Sequence, residues 1–332
     1  DGVKHGHRGG GRSDGVVVQP RRCHARPLGM DELTQVPDLI DPASGGSFHV
    51  LLDPSRAPLH KPTRARWLPS ESQSIRRLVD IGTRIIPWPF PRCESAASLR
   101  EEVGRLAEEV DQDPVLGSAR SVLGVGTARL HAWAFVPNAS PGETLGGLMF
   151  LHGNCGNCKL LAAAWRPFAE AQRVAVICPT FGLGFWGRGA VERIEQIRLL
   201  ALARWPIDPR RVELAGLSDG GRGVVRIVRQ HPDHYQGVVL ISATMPRSDL
   251  STPQAAPSWR GRPVLILQGG RDWNVSRRSV EQGAEWLRRH GAVVTMRIEP
   301  NADHGLFFTH RRNIAAWIEE WRRSTREGNT PP

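Results

Sequence analysis

From about residue 119 onward, short apolar runs rich in β-branched residues alternate with stretches whose apolar side chains recur at helical spacing, and few architectures accept that rhythm. Strands are predicted over 129–136, 147–151, 174–177, 212–215, 238–241, 264–267 and 293–298. Between them the spacing predicts helices over 159–171 (Leu161, Trp165, Phe168), 190–203 (Val191, Ile194, Ile197, Ala201), 221–230 and 279–289, with a last helix carrying Ile314, Trp317, Ile318 and Trp321. Runs this uniformly apolar have to be covered on both faces, which means a largely parallel sheet between two helical layers. In such sheets functional groups gather at the carboxyl ends of the strands.

The upstream third reads differently. Residues 1–63 are rich in Gly, Arg, Pro, Asp and Ser and are expected to form a largely disordered tail, because little in them would offset the entropy of ordering. Over 64–118 two amphipathic helices are expected, one on Ile75, Leu78, Val79 and Ile86, the other on Leu99, Val103, Leu106 and Val110. Pro87-Trp88-Pro89-Phe90-Pro91 separates them, since proline removes donors and pushes its neighbours to extended geometry. This helical extension either packs on the main domain, 119–325, or covers its active site.

Composition removes several classes of function. The formal charge of +11 raises nucleic acid as a partner, but the excess is dispersed arginine, often beside an acid, as in Arg193/Glu192, Arg211/Glu213 and Arg271/Asp272. A phosphate-binding surface needs a concentrated basic stripe, so no nucleic-acid partner is expected. No run reaches the roughly 18 apolar residues of a membrane span, and no secretory signal pattern opens the chain. Cysteines at 23, 93, 155, 158 and 178 form no disulfide framework, which favours a reducing, cytoplasmic setting. Cys155-Gly156-Asn157-Cys158 is half of a zinc or redox motif without a second pair, and His5, His7 and His24 lie in the tail, so neither metal nor cofactor is expected.

Gly216-Leu217-Ser218-Asp219-Gly220-Gly221 directly follows the predicted strand Val212-Glu213-Leu214-Ala215. A Gly-x-Ser-x-Gly turn between strand and helix lifts the serine hydroxyl above the sheet. Gln268-Gly269-Gly270-Arg271-Asp272 and Ala302-Asp303-His304-Gly305 each follow a later strand, giving the chain order Ser218, Asp272, His304. A serine hydroxyl is a poor nucleophile at neutral pH, so an imidazole must take its proton, and a carboxylate must fix the imidazole tautomer. Asp303 and Asp249 compete for the carboxylate's place; Asp272 is preferred because its strand neighbours the histidine's. His152-Gly153-Asn154 follows strand 147–151, so the backbone N–H groups of Asn154 and Asp219 are assigned to an oxyanion hole, with the Asp219 side chain turned away toward an arginine. His152 is expected to brace that loop rather than act as a base.

Residues 119–325 thus resemble an α/β-hydrolase, closest to the prolyl-oligopeptidase-like and dienelactone-hydrolase-like branch. The likeness rests on His152-Gly153-Asn154, Gly216-Leu217-Ser218-Asp219-Gly220-Gly221, Gly270-Arg271-Asp272 and Asp303-His304-Gly305. It implies an eight-stranded, mostly parallel sheet with helices on both faces and esterase or peptidase chemistry. Ser218 stands where dienelactone hydrolases carry cysteine, and the 118 upstream residues are too few for the propeller of prolyl oligopeptidases.

The expected activity is cofactor-independent serine hydrolysis of a small-molecule carboxylic ester through an acyl-enzyme. The alternatives are an aminopeptidase or acyl-peptide hydrolase, which needs an acid to grip an amine, and a catalytically silent binding module. Phe181, Phe185 and Trp186 in a Gly-rich loop after strand 174–178, with Trp273 beside Asp272, either line a substrate pocket or pack into the core. Only about twenty residues separate strands 238–241 and 264–267, too few for a large helical cap.

Overall fold

A computed structural model describes residues 39–40, 45–52, 76, 96–111, 131–154, 156–181, 184–252 and 255–327. In chain order the elements are β1 (Leu39–Ile40), β2 (Gly46–Leu52), α1 (Ala96–Asp111), β3 (His131–Pro137), β4 (Leu145–Leu151), α2 (Cys158–Gln172), β5 (Val174–Pro179) and α3 (Ala190–Arg204). They continue with β6 (Ile207–Leu217), α4 (Gly220–Gln230), β7 (Gly237–Ile241), β8 (Pro263–Gly269), α5 (Arg277–Arg289), β9 (Val293–Glu299) and α6 (Arg311–Arg326).

The strands form one sheet in the order β1-β2-β3-β5-β4-β6-β7-β8-β9. Apart from the two-residue β1 it is eight-stranded. β2 and β3 run antiparallel to their neighbours, and every pair from β5 through β4, β6, β7 and β8 to β9 is parallel. This is the fold of the α/β-hydrolases.

The alternation of side chains across the pleat divides the interior into two cores. Met149, Leu214, Leu240 and Ile266 face the layer built by α3, α4 and α5. Phe150, Ala215, Val239 and Leu265 face α1, α2 and α6. Covering on both faces is what the continuous apolar strands demand. Asn157 starts α2 by accepting the Leu160 N–H at 2.9 Å, a side-chain cap that satisfies one orphan donor of the first turn. From α6, Arg322 reaches the buried Glu213 of β6 and lies over the Phe168 ring, tying the last helix beneath the strand that leads to Ser218.

The upstream region departs from expectation. Gly46–Leu52, inside the segment read as a disordered tail, pairs along the whole of β3, with Phe48 edge-on to Phe135 at 5.0 Å. Only the two-residue β1 pairs with it locally; the partner along its whole length, β3, lies about eighty to ninety residues away, so little nearby announces the strand. Of the two predicted helices, the one built on Leu99, Val103 and Leu106 is α1, with those three side chains buried. The other, apart from Arg76, lies outside the described residues. Between β7 and β8 only the short turns Arg247–Leu250 and Ala255–Ser258 intervene among the described residues, so no large cap is inserted there. No helix among the described residues is long and apolar enough to cross a membrane.

Because β2 covers the edge of β3, a chain beginning at residue 64 should melt roughly 5 °C or more below one beginning at residue 35. Equal melting temperatures by circular dichroism would mean that β2 contributes nothing to the domain.

Candidate active site

The turn after β6 is held by contacts that admit no side chain. A Cβ at Gly220 would lie 2.2 Å from the Leu151 carbonyl oxygen, and one at Gly216 would lie 2.7 Å from the Gly220 backbone. Between these glycines Ser218 adopts φ +53°, a left-handed conformation that non-glycine residues rarely take. Its N–H donates to the Ile241 carbonyl at 3.1 Å, and its own carbonyl accepts from Thr244 N–H at 2.9 Å, so the end of β7 and the loop after it anchor the strained residue from both sides.

Ser218, Asp272 and His304 are brought together. His304 Nε2 lies 3.0 Å from Ser218 Oγ, and His304 Nδ1 lies 2.9 Å from Asp272 Oδ2. The Asp272 side chain is fully buried, and its Oδ1 accepts the backbone N–H groups of Asn274 and Val275, both at 2.9 Å. Three acceptor contacts leave this carboxylate well satisfied and stiff, which orients the imidazole. The competing acids are engaged elsewhere: Asp249 pairs with Arg226 at 3.0 Å, and Asp303 Oδ1 accepts the Gly305 N–H at 2.8 Å.

The loop after β4 approaches the serine closely, since a Cβ at Gly153 would sit 2.9 Å from Ser218 Cβ. Asn154, next in the chain, is exposed at this turn. Asp219 is buried at the start of α4, and its carboxylate turns to Arg222, 3.4 Å away, and accepts from Thr244 Oγ1 at 3.2 Å. That orientation, expected from the sequence, keeps a negative charge from pointing at the position beside Ser218.

His152 is buried and held on both ring nitrogens. Nδ1 contacts the Gly153 carbonyl at 2.6 Å and therefore donates, while Nε2 accepts the Phe181 N–H at 3.3 Å. A ring fixed in this neutral tautomer is a brace and has no nitrogen aimed at the serine. The buried Trp186 completes the brace by donating Nε1–H to the His152 carbonyl at 2.8 Å.

The aromatic candidates divide. Trp186 is fully buried at φ +42°, stacked on Phe181 at 5.4 Å, and belongs to the core beneath the loop rather than to a pocket wall. Phe181 is half-buried, with Arg193 over its outer face. Phe185 and Trp273 are 59% and 78% exposed, an unusual state for large apolar side chains. The loops that carry them follow β5 and β8, which lie two strands from β6 on opposite sides of it.

Sequence reasoning missed the role of α1. Leu99 packs within 3.6 Å of where a Cβ of Gly305 would be, immediately after His304, and Glu102 pairs with Arg311 at 2.8 Å. The helix thus supports the histidine loop from behind, a tertiary contact with no local signature. Of the motif Cys155-Gly156-Asn157-Cys158, Cys155 lies outside the described residues. Cys158 is buried, and burial pushes its thiol far above the ordinary range, as it does for Cys178. Such thiols are poorly reactive.

No protein-family model matches the chain, and no curated protein matches it in sequence. Solved structures are similar at low identity. FphF, a fluorophosphonate-binding serine hydrolase of Staphylococcus aureus, is 15% identical, with 57% of this chain and 92% of that one covered at a TM-score of 0.48. An esterase of Rhizomucor miehei is 17% identical, covering 61% and 82%, with a TM-score of 0.49. The acylaminoacyl peptidase of Pyrococcus horikoshii is 14% identical, covering 59% and 39%, with a TM-score of 0.43. At this distance a likeness reaches only to fold, and the chemistry has to be read from this chain's own residues.

Gly220→Ala should destabilise the protein by about 1–3 kcal/mol through overpacking against Leu151. Urea denaturation is the measurement, and an unchanged midpoint would contradict the close approach at the turn.

Proposed function

We propose that the protein is a serine hydrolase that cleaves carboxylic esters through an acyl-enzyme. The observation that carries this reading is the continuous relay from Asp272 Oδ2 through the His304 ring to Ser218 Oγ, with both links at hydrogen-bond length. The strained backbone at Ser218 supports it further, because such strain persists where function requires it.

Ser218 Oγ attacks the ester carbonyl carbon as its proton passes to His304 Nε2. The imidazolium so formed is stabilised at Nδ1–H by Asp272, which stays ionised. Negative charge collects on the former carbonyl oxygen, and the backbone N–H groups of Asn154 and Asp219 are its donors. Each donor of this kind lowers the barrier by about 2.7–4 kcal/mol. Collapse of the tetrahedral species expels the alkoxide, which leaves as the alcohol with the proton from Nε2. A water molecule, deprotonated by the same nitrogen, then attacks the acyl-serine, and its collapse frees the carboxylic acid and restores Ser218.

Phe185 and Trp273 supply apolar area on the two sides of the nucleophile, which suits a substrate with apolar groups on both the acyl and the alcohol side. Esters are favoured over peptides because the acids nearest the nucleophile are committed: Asp272 holds His304, and Asp219 holds Arg222 and Thr244. That leaves neither of them to grip a substrate amine.

The protein should release nitrophenolate from short-chain nitrophenyl esters, and Ser218→Ala should abolish that turnover. Asp272→Asn should lower kcat by about 10⁴-fold by favouring the wrong imidazole tautomer, while changing KM little. Turnover that survives Ser218→Ala, or an Asp272→Asn variant as active as the wild type, would refute the mechanism.

A further inference from the structure

Away from the triad, Glu195 on α3, His231 just after α4 and His234 at the end of the following turn, Pro232–His234, bring one carboxylate oxygen and two imidazole nitrogens within 4.8 Å of one another. Among the described residues this is the one group of three such donors. We propose that it is a binding site for a late first-row divalent cation, with zinc the best fit.

The donor set points to that class of ion. Two imidazoles and a carboxylate are borderline ligands that suit zinc, nickel or cobalt and suit calcium or magnesium poorly. Glu195 is prepared for the role. Its Oε1 accepts the Tyr235 hydroxyl at 2.6 Å, and its Oε2 lies 2.9 Å from Arg198 Nε and 2.6 Å from His234 Nδ1. A buried carboxylate oriented by the Tyr235 hydroxyl and the Arg198 guanidinium has the form of a metal ligand with its outer shell in place.

A positive charge already sits in this corner. Arg198 Nη2 lies 3.0 Å from His234 Nδ1 while Nε contacts Glu195. The guanidinium therefore bridges the carboxylate and the imidazole that the ion would join, and the ion displaces it from His234. The two rings are stacked at 4.8 Å with 17° between planes, so their nitrogens do not converge as they stand. One ring must turn, bringing donors to the roughly 3.3 Å separation that tetrahedral ligands of zinc require. The His234 side chain is 39% exposed and has room to do so. Three protein ligands leave a fourth position for water.

The ion's task would be structural. α4 starts beside Ser218 and spans 11 residues, so its far end, where His231 lies, is about 16 Å from the nucleophile. Coordination would clamp that end of α4 to α3.

The test is zinc chloride titrated into chelator-stripped full-length protein, by calorimetry and by thermal melts, against the His231→Ala/His234→Ala double variant and Glu195→Gln. The histidines His5, His7 and His24 are present in every sample, so the difference between proteins isolates the site. The wild type should take up one equivalent more than the double variant, with micromolar affinity, and should gain several degrees of melting temperature that the double variant does not. Glu195→Gln should weaken that uptake by tenfold or more. If the double variant fails to fold by circular dichroism, the single variant His231→Ala takes its place. Equal uptake by wild type and the folded histidine variant, or no melting shift specific to the wild type, would overturn the proposal. Neither result bears on the esterase reading, since no triad residue is touched.

Discussion

The meeting of three backbone segments without intervening side chains is the constraint on which the site depends. Gly216, Gly220 and the carbonyl of Leu151 occupy a space in which a single methyl group would clash, and within that crowded turn Ser218 adopts a left-handed conformation. The strain is maintained because the end of β7 and the loop after it take both backbone groups of the serine. From this follow the direction of the hydroxyl toward His304, the start of α4 directly behind it, and the nearness of the loop carrying Gly153 and Asn154. The sheet acts as a jig. Its parallel strands end at one edge, so residues far apart in the chain arrive within hydrogen-bond reach of one another.

Support for the site comes from several layers. Asp272 is positioned by two backbone donors of its own loop, and the histidine loop rests on α1 through Leu99. The loop after β4 is pinned by His152 and Trp186, whose mutual packing uses an imidazole that a motif search would count as a catalytic candidate. A histidine with both nitrogens satisfied by backbone groups is an instance of chemistry-bearing residues serving geometry.

Much of this was legible in the residues because the signals were local. The Gly-x-Ser-x-Gly turn needs its glycines within five positions, and the strand–loop placement of Asp272 and His304 follows from periodicity in short windows. What escaped notice depended on distant partners. Gly46–Leu52 reads as tail because its neighbours in sequence are Gly, Pro and Arg, whereas its reason for being a strand is β3. The aromatic loop after β5 shows that composition cannot assign a side: Phe185 and Trp186 are adjacent, yet one is exposed and the other is wholly buried. The Glu195 cluster was equally invisible, since Glu195 and His234 are 39 positions apart and meet only after α3 packs against the end of α4.

The central claim is that Ser218 becomes covalently acylated during turnover. The most direct measurement is rapid acid quenching of the wild type with a nitrophenyl ester, followed by peptide mass analysis. The account predicts the acyl group on the peptide containing Ser218, formed at a rate no slower than turnover. Hydrolysis that proceeds with Ser218 unmodified, or with the acyl group on another residue, would contradict it.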